Sequence, residues 1–275
     1  MTAIAIDETR AAWDAIAAGY DEFVTPMEAT LANEALRLAG LRPGMRFLDV
    51  AAGTGGLSLP AARLGAHVLA TDLSPKMLDR FRARAAAERL DVEARVMDGH
   101  ELQVEDDTFD LTASQFGVML FPDLPRALAE MVRVTKRGGR VLMIAYGPPT
   151  QIDFLGFFLG AVQAAVPGFP GLPDEPPPLE FQLADPGRLR ERMTDAGLRD
   201  VRIERSAERL VVASGQELWD WVLSSNPMAG HAIGDLNDEQ RAEVRHALDA
   251  MVRERAGNGD EAVLNGPVNI GVGTK

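Results

Sequence analysis

The chain has 275 residues, of which 46% are hydrophobic, enough to fill the core of one large domain or of one domain with an insertion. It carries 28 Lys and Arg against 41 Asp and Glu, and the net charge of -13 disfavours nucleic acid as a partner because a polyanion would be repelled. The sequence contains no cysteine, which excludes disulfides, thiolate metal sites and a Cys nucleophile.

The N-terminal region predicts no export signal. It includes Asp7, Glu8, Arg10 and Asp14 and so lacks the unbroken apolar stretch of a signal peptide. The most apolar run, residues 154–166, is shorter than the roughly 20 residues that span a bilayer. We therefore expect a cytoplasmic protein without a membrane partner. The apolar run itself indicates a buried or lid helix, or alternatively the surface of a homodimer.

Between residues 45 and 145, short β-rich runs alternate with helical segments, a pattern typical of βαβ units and a parallel sheet. Ser74 followed by Pro75 predicts the start of a helix, and a second helix from Leu124 is expected to continue to Gly138-Gly139. The predicted strands of this region are residues 45–50, 67–71, 92–97, 109–114 and 140–145.

The composition changes after Gly147. No Lys or Arg occurs between residues 151 and 183, where Pro and Phe are crowded together, and we interpret this segment as an insertion that covers something apolar. Further along, helices are predicted from Pro186 to Gly197, after Ser214, and over residues 238–255. Strand segments are predicted at residues 201–203, 210–212 and 261–275.

A glycine-rich turn follows the first strand. Residues 47–56 read FLDVAAGTGG, and such a turn lets the backbone approach a ligand where open α/β sheets bind nucleotides. Asp72 ends the second strand at the spacing from which a carboxylate can accept hydrogen bonds from a ribose diol. Asp98, followed by Gly99, ends the third strand. We predict that these three strand ends contact one ligand.

An NAD-dependent oxidoreductase is the main alternative, since Gly53-Thr54-Gly55 with Asp72 partly fits the dinucleotide-binding pattern. The third glycine position, however, is Ser58, and Asp49 just before the loop would repel a pyrophosphate. S-adenosylmethionine (SAM) carries a sulfonium and an ammonium instead of phosphates. The local charge therefore favours SAM over NAD.

Residues 13–146 resemble the class I SAM-dependent methyltransferases, in particular those of ubiquinone and menaquinone biosynthesis. The stretches WDAIAAGYD, LDVAAGTGG, ATDLSPKML, DGHEL and FDLTASQFGVMLFPDLPRALAEMVRVTKRGGRVLM carry the resemblance. It implies a doubly wound, Rossmann-like α/β fold with a seven-stranded, mostly parallel sheet and an antiparallel last strand. The expected domains are an N-terminal helical cap (1–40), a SAM-binding core (41–147), an acceptor lid (148–184) and a C-terminal part that completes the sheet (185–275).

The resemblance also implies where the cofactor lies. Gly53 and Gly55 would approach its methionine part, Asp72 its ribose hydroxyls and Asp98 its adenine amino group, and Tyr20 would close the site. The other expected cofactor-binding residues are Asp49, Ala51, Leu73, Met77, Gly99, Gln115 and Phe116.

Methyl transfer from a sulfonium is an in-line displacement that needs no metal, and orientation and exclusion of water can supply most of the acceleration. A hydroxyl acceptor would profit from a general base, for which His231 and His100 are the candidates. Phe154, Phe158 and Trp219 are the candidate acceptor-binding residues, since such walls suit apolar molecules.

The predicted function is therefore methyl transfer from SAM to O, N or C of a small, largely apolar or aromatic metabolite, with secondary metabolism as the expected setting. The end of the fourth strand, residues 113–117, lacks the Asn/Asp-Pro-Pro-aromatic motif of exocyclic amino methyltransferases. A non-catalytic regulator that binds SAM or a nucleotide is the alternative from a different class.

Overall fold

The structure, a computed structural model, describes residues 3–173 and 178–275, with side chains except those of residues 3–5, 228, 231 and 232. Residues 174–177, in the predicted lid, lie outside the described residues. The helices are α1 (Ala3–Gly19), α2 (Thr25–Ala39), α3 (Ser58–Arg63), α4 (Pro75–Ala87), α5 (Leu124–Val134), α6 (Asp153–Ala165), α7 (Pro186–Asp195), α8 (Gly215–Ser225), α9 (Pro227–Ala232) and α10 (Asp238–Ala256). The strands are β1 (Arg46–Val50), β2 (His67–Asp72), β3 (Val92–Val96), β4 (Phe109–Gln115), β5 (Thr135–Tyr146), β6 (Arg199–Val212) and β7 (Ala262–Thr274). A π-helical turn, Tyr20–Val24, joins α1 to α2.

The strands form one seven-stranded sheet in the order β3-β2-β1-β4-β5-β7-β6. Pairs from β3 to β5 are parallel, whereas β7 runs antiparallel to both β5 and β6. This confirms the predicted Rossmann-like fold with an antiparallel last strand. The strand order reverses between β1 and β4, and ligands of open α/β sheets bind beside such a reversal, outside the carboxyl ends of the strands.

The helix starts follow from local hydrogen bonding. The Ser74 side chain accepts the backbone N–H of Met77 at 3.1 Å, which caps α4 as predicted. Asp185 caps α7 in the same way, and Asn237 with Gln240 forms a reciprocal capping box at α10. These caps satisfy N–H groups that a helix leaves unbonded at its first turn.

Two sequence predictions are wrong in detail. The second helix ends at Val134 and not at Gly138-Gly139, because β5 already begins at Thr135. The pairing between β4 and β5 shifts register near Phe109, and this irregularity absorbs the extra residues before Arg140. The two short strand segments after α7 form one strand, β6, since β7 pairs with it along most of its length.

The sheet is covered by a large apolar cluster in which Phe47, Leu48 and Leu142 are completely buried. A second apolar cluster joins α6, α8 and α10 to the C-terminal end of β6 and the N-terminal end of β7. Among the described residues, no helix combines the length and the apolar character that a membrane crossing requires.

Candidate cofactor and acceptor site

A cavity of about 770 Å³ opens at the carboxyl ends of β1 to β4 and is called here the carboxyl-edge cavity. Its volume lies within the range of small-molecule sites. Of the predicted site residues, it is lined by Tyr20, Ala51, Gly53, Asp72, Leu73, Met77, Asp98, Gly99, His100, Gln115 and Phe116. A more open groove of about 1080 Å³ at the other edge of the sheet is lined by none of them.

The glycine-rich turn is held in place by Asp72. The Gly53 N–H donates to Oδ2 of Asp72 at 2.8 Å, and Gly53 has a φ of 55°, in the left-handed region that glycine adopts at no steric cost. Ala51, with a φ of 57°, takes the same backbone conformation without being glycine. Residues held in such conformations cluster at ligand sites, where the surrounding structure supports the strain.

Asp72 itself keeps hydrogen-bonding capacity toward the cavity. Its Oδ1 accepts the Ser74 N–H at 2.8 Å, so each carboxylate oxygen has at least one backbone donor. Two carboxylate oxygens offer about four lone pairs, which leaves room for a ribose diol. Burial raises the pKa of Asp72 to about 6, although the backbone N–H groups of Ser74 and Gly53 oppose that rise.

Asp98 and His100 form a second polar pair. Oδ1 of Asp98 accepts the His100 N–H at 2.9 Å and lies 2.7 Å from His100 Nδ1. Burial would raise the pKa of Asp98, but the hydrogen bonds from His100 outweigh it and lower that pKa below its usual value. Nε2 of His100 is buried with no partner in the described part of the chain, and its ring lies 4.7 Å from that of Phe121. The pair can therefore present a carboxylate oxygen and a ring nitrogen to a purine.

Two predicted cofactor residues, Asp49 and Gly55, lie behind the turn and do not line the cavity. Asp49 is 1% exposed and accepts a hydrogen bond from the Ser58 hydroxyl at 2.6 Å, so the residue in the third glycine position serves to hold this carboxyl. Burial raises the pKa of Asp49 to about 7. Gly55 packs against the Phe81 ring, and a side chain at Gly55 would overlap that ring.

The other end of the cavity wall comes from the π-helical turn and the end of β4. The Tyr20 ring lies beside Gly53, and its hydroxyl donates to Glu28 Oε1 at 2.9 Å. Phe116, with a φ of 56°, stacks on Tyr146 with ring centroids 4.4 Å apart. The Gln115 side chain makes no hydrogen bond of ordinary geometry among the described residues, although it lies close enough to Glu28 to lower the pKa of that carboxyl.

The three predicted acceptor-binding residues lie elsewhere. Phe154 and Phe158 on α6 and Trp219 on α8 pack in the second apolar cluster and not in the cavity wall. The Phe154 ring contacts Trp221, with centroids 4.8 Å apart. Among the described residues of the predicted lid, only Pro178, Leu179 and Glu180 line the cavity.

His231 belongs to α9, the helix whose first residue, Pro227, lines the cavity, but its side chain lies outside the described residues. Sequence reasoning missed the wall that Trp13 of α1 and Leu120 and Phe121 after β4 provide. The apolar run after β4 was a usable signal, since it follows the carboxyl end of a central strand. No group of three His, Asp or Glu in the described part of the chain could hold a metal ion.

Comparison with known proteins agrees with this geometry. Residues 48–143 match the family described as "Methyltransferase domain". The demethylmenaquinone methyltransferase of Renibacterium salmoninarum is 32% identical over 206 residues, which cover 71% of this chain and 85% of that protein. Rv1405c of Mycobacterium tuberculosis is 43% identical over 125 residues, but the match spans only 44% of that protein and 46% of this chain.

Among solved structures, phosphoethanolamine N-methyltransferase 2 of Haemonchus contortus in complex with SAM superposes with a TM-score of 0.54 at 19% identity. The superposition covers 90% of this chain and 52% of that one, and it shows the shared fold. A mixed sheet with a carboxyl-edge cavity, a glycine-rich turn and a strand-end carboxylate defines a Rossmann-like nucleotide-binding protein. More narrowly, the chain belongs to the class I SAM-dependent methyltransferases.

Proposed function

We propose that the chain transfers the methyl group of SAM to O, N or C of a small, largely apolar or aromatic metabolite. The single observation that supports this acceptor class is the charge of the carboxyl-edge cavity. Its lining contains the acidic residues Glu8, Asp72, Asp98 and Glu180, and no Lys or Arg of the described chain. A phosphorylated acceptor would find no cationic partner there. Apolar walls from Trp13 and Leu120 favour burial of carbon surface instead.

In this proposal the cofactor lies along the strand ends. Asp72 binds the ribose hydroxyls, Oδ2 of Asp98 accepts from the adenine amino group, and Leu73 and Met77 contact the purine. The bound cofactor supplies the electrophilic methyl group. Gly53 and Tyr20 hold its methionine part, while Phe116 and the apolar walls orient the acceptor and exclude water, which is how positioning lowers the barrier to a displacement.

His100 and His231 are the two candidates for the catalytic base. His100 is held by Asp98 and has a buried, unpartnered Nε2, as a general base requires, but the same pair contacts the adenine in this proposal. His231 belongs to a helix that begins at the cavity. Incubating His100→Gln and His231→Gln variants with an accepted substrate would separate the two, since only the base should lose kcat while SAM affinity is kept.

The experiment that tests the proposal uses methyl-labelled SAM and a fractionated metabolite extract. We expect label in apolar, low-molecular-weight fractions with the native chain and with Asp185→Ala, a surface variant outside the cavity lining. Asp72→Ala should transfer little label at low SAM concentration. Label found only in protein or nucleic acid would overturn the acceptor class. SAM binding without transfer to any fraction would favour the non-catalytic regulator. The cytoplasmic setting, a role in secondary metabolism and a homodimer are part of the proposal.

A further inference from the structure

Two glutamates are buried beside the carboxyl-edge cavity without a cationic partner. Glu28 on α2 and Glu208 on β6 are 4% and 2% exposed. Each accepts a hydrogen bond from a phenol, Glu28 from Tyr20 at 2.9 Å and Glu208 from Tyr146 at 2.8 Å. In the described part of the chain no Lys or Arg forms an ion pair with either carboxyl. Burying carboxyls in this way costs stability, so a compensating role is expected.

These carboxyls lie behind the methionine end of the proposed cofactor site. The Glu28 carboxyl lies so close to Gly56 of the glycine-rich turn that a side chain at Gly56 would overlap it. Its partner Tyr20 lines the cavity. Tyr146, the partner of Glu208, stacks on Phe116, which also lines the cavity. Each carboxyl is thus separated from the cavity by one layer of aromatic side chains.

A second, independent observation points to a ligand at the same place. Gln115 lines the cavity and is 8% exposed, yet neither its amide nitrogen nor its amide oxygen makes a hydrogen bond of ordinary geometry in the described chain. Its amide lies close enough to Glu28 to lower the pKa of that carboxyl, but this contact leaves hydrogen-bonding capacity on the cavity side. A buried amide without hydrogen bonds is costly. The cost is removed when a polar ligand group contacts the amide. Gln115 therefore indicates a polar part of the ligand in front of the two glutamates.

The electrostatics match a cation. Burial, followed by repulsion from Glu208, raises the pKa of Glu28 to about 8, although the Tyr20 and Gln115 side chains oppose that rise. Burial raises the pKa of Glu208 to about 7. The other titratable groups that act on this cluster are also acids or phenols: Tyr20, Tyr146, Asp49 and Asp72. A positive charge placed in the cavity would favour the ionised form of both glutamates.

We propose that Glu28 and Glu208 are the counter-charges that make the chain prefer cationic SAM over its uncharged-sulfur product, S-adenosylhomocysteine (SAH), with Gln115 contacting the ligand in front of them. The inference depends on the proposed placement of the cofactor but not on the acceptor. SAM and SAH differ by one methyl group and one positive charge, so the ratio of their affinities measures the field at the sulfur.

The test is isothermal titration calorimetry of SAM and of SAH at pH 8 on the full chain. In Glu28→Gln/Glu208→Gln we expect SAM affinity to fall by about tenfold or more, by Coulomb's law at an effective dielectric of about 20, and SAH affinity by no more than about threefold. Glu34→Gln is the matched control. Glu34, also on α2, accepts a hydrogen bond from the Ser206 hydroxyl of β6 at 2.7 Å and does not line the cavity. It should change neither affinity.

Proton counting gives a second readout. Titrations in two buffers of different ionisation enthalpy at pH 7 should show that the native chain releases more protons on binding SAM than on binding SAH. The double variant should lose most of that difference. If circular dichroism shows that the double variant does not fold, the single variant Glu208→Gln replaces it in both experiments. We then expect a smaller fall of SAM affinity relative to SAH affinity.

Equal losses of SAM and SAH affinity, or an unchanged ratio with unchanged proton release, would overturn the inference. A native chain that binds neither ligand would instead remove the proposed cofactor site itself.

Discussion

Asp72 should dominate cofactor affinity, and Asp72→Ala is the change that tests this. The carboxylate accepts backbone N–H groups from Gly53 and Ser74, both at 2.8 Å, and its remaining lone pairs face the carboxyl-edge cavity. A hydrogen bond to a charged group contributes about 1.5–3 kcal/mol. At about 1.4 kcal/mol per factor of ten, the variant should bind SAM about tenfold to about 150-fold more weakly. Isothermal titration calorimetry on the folded variant measures this directly.

The same carboxylate also anchors the glycine-rich turn, so Asp72→Asn separates the two roles. Asn keeps an oxygen acceptor for one backbone N–H but loses the charge, and we expect an intermediate loss of affinity. Asp185→Ala is the control, because Asp185 also accepts a backbone N–H, that of Arg188 at 2.8 Å, and lies away from the cavity. Native-like SAM affinity in a folded Asp72→Ala would refute the placement of the ribose.

Three further predictions concern the cavity, the pH response and the second apolar cluster. Gly99→Val should abolish measurable SAM binding in calorimetry, because the new side chain would overlap the Phe121 ring and the buried Val50 side chain; retained binding by a variant that folds by circular dichroism would contradict the adenine placement. Burial raises the pKa of Glu208 to about 7, so the stability that its protonated form contributes is present at acidic pH and lost as the pH rises through about 7. In the native chain the free energy of unfolding should fall between about pH 5 and about pH 8, and in Glu208→Gln it should fall less steeply when measured by urea titration. An equally steep fall in the variant would contradict the raised pKa of Glu208. Phe158→Ala should lower the free energy of unfolding by about 3–5 kcal/mol and leave SAM affinity unchanged, whereas lost affinity without lost stability would return Phe158 to the site.

The sequence predicts which strand ends meet at the carboxyl-edge cavity, and it does so for a physical reason. In a parallel sheet the residue that ends each strand lies at one edge, so Asp72 and Asp98 had to approach the turn at Gly53 once the strands were recognised. The caps at Ser74 and Asn237 are equally local, since a helix start depends on residues within one turn.

Features that depend on distant contacts were not accessible in this way. Phe154 and Phe158 are apolar on any reading, and only the packing of α6 against α10 and α8 decides that they build a core and not an acceptor wall. Glu28 and Glu208 look like ordinary surface residues in the sequence, where they lie 180 positions apart, and only the tertiary fold brings the two carboxyls close to each other. The polar stretch inside β6 likewise reads as a loop until β7 pairs with it.

The most direct test of this account is a crystal structure of the chain with SAH bound. We expect the ribose hydroxyls within hydrogen-bonding distance of Asp72, the adenine amino group at Oδ2 of Asp98, and the sulfur beside Tyr20 and Gln115. A ligand found in the polar groove at the amino ends of the strands, which Arg46 and Arg133 line, with the carboxyl-edge cavity empty, would contradict it.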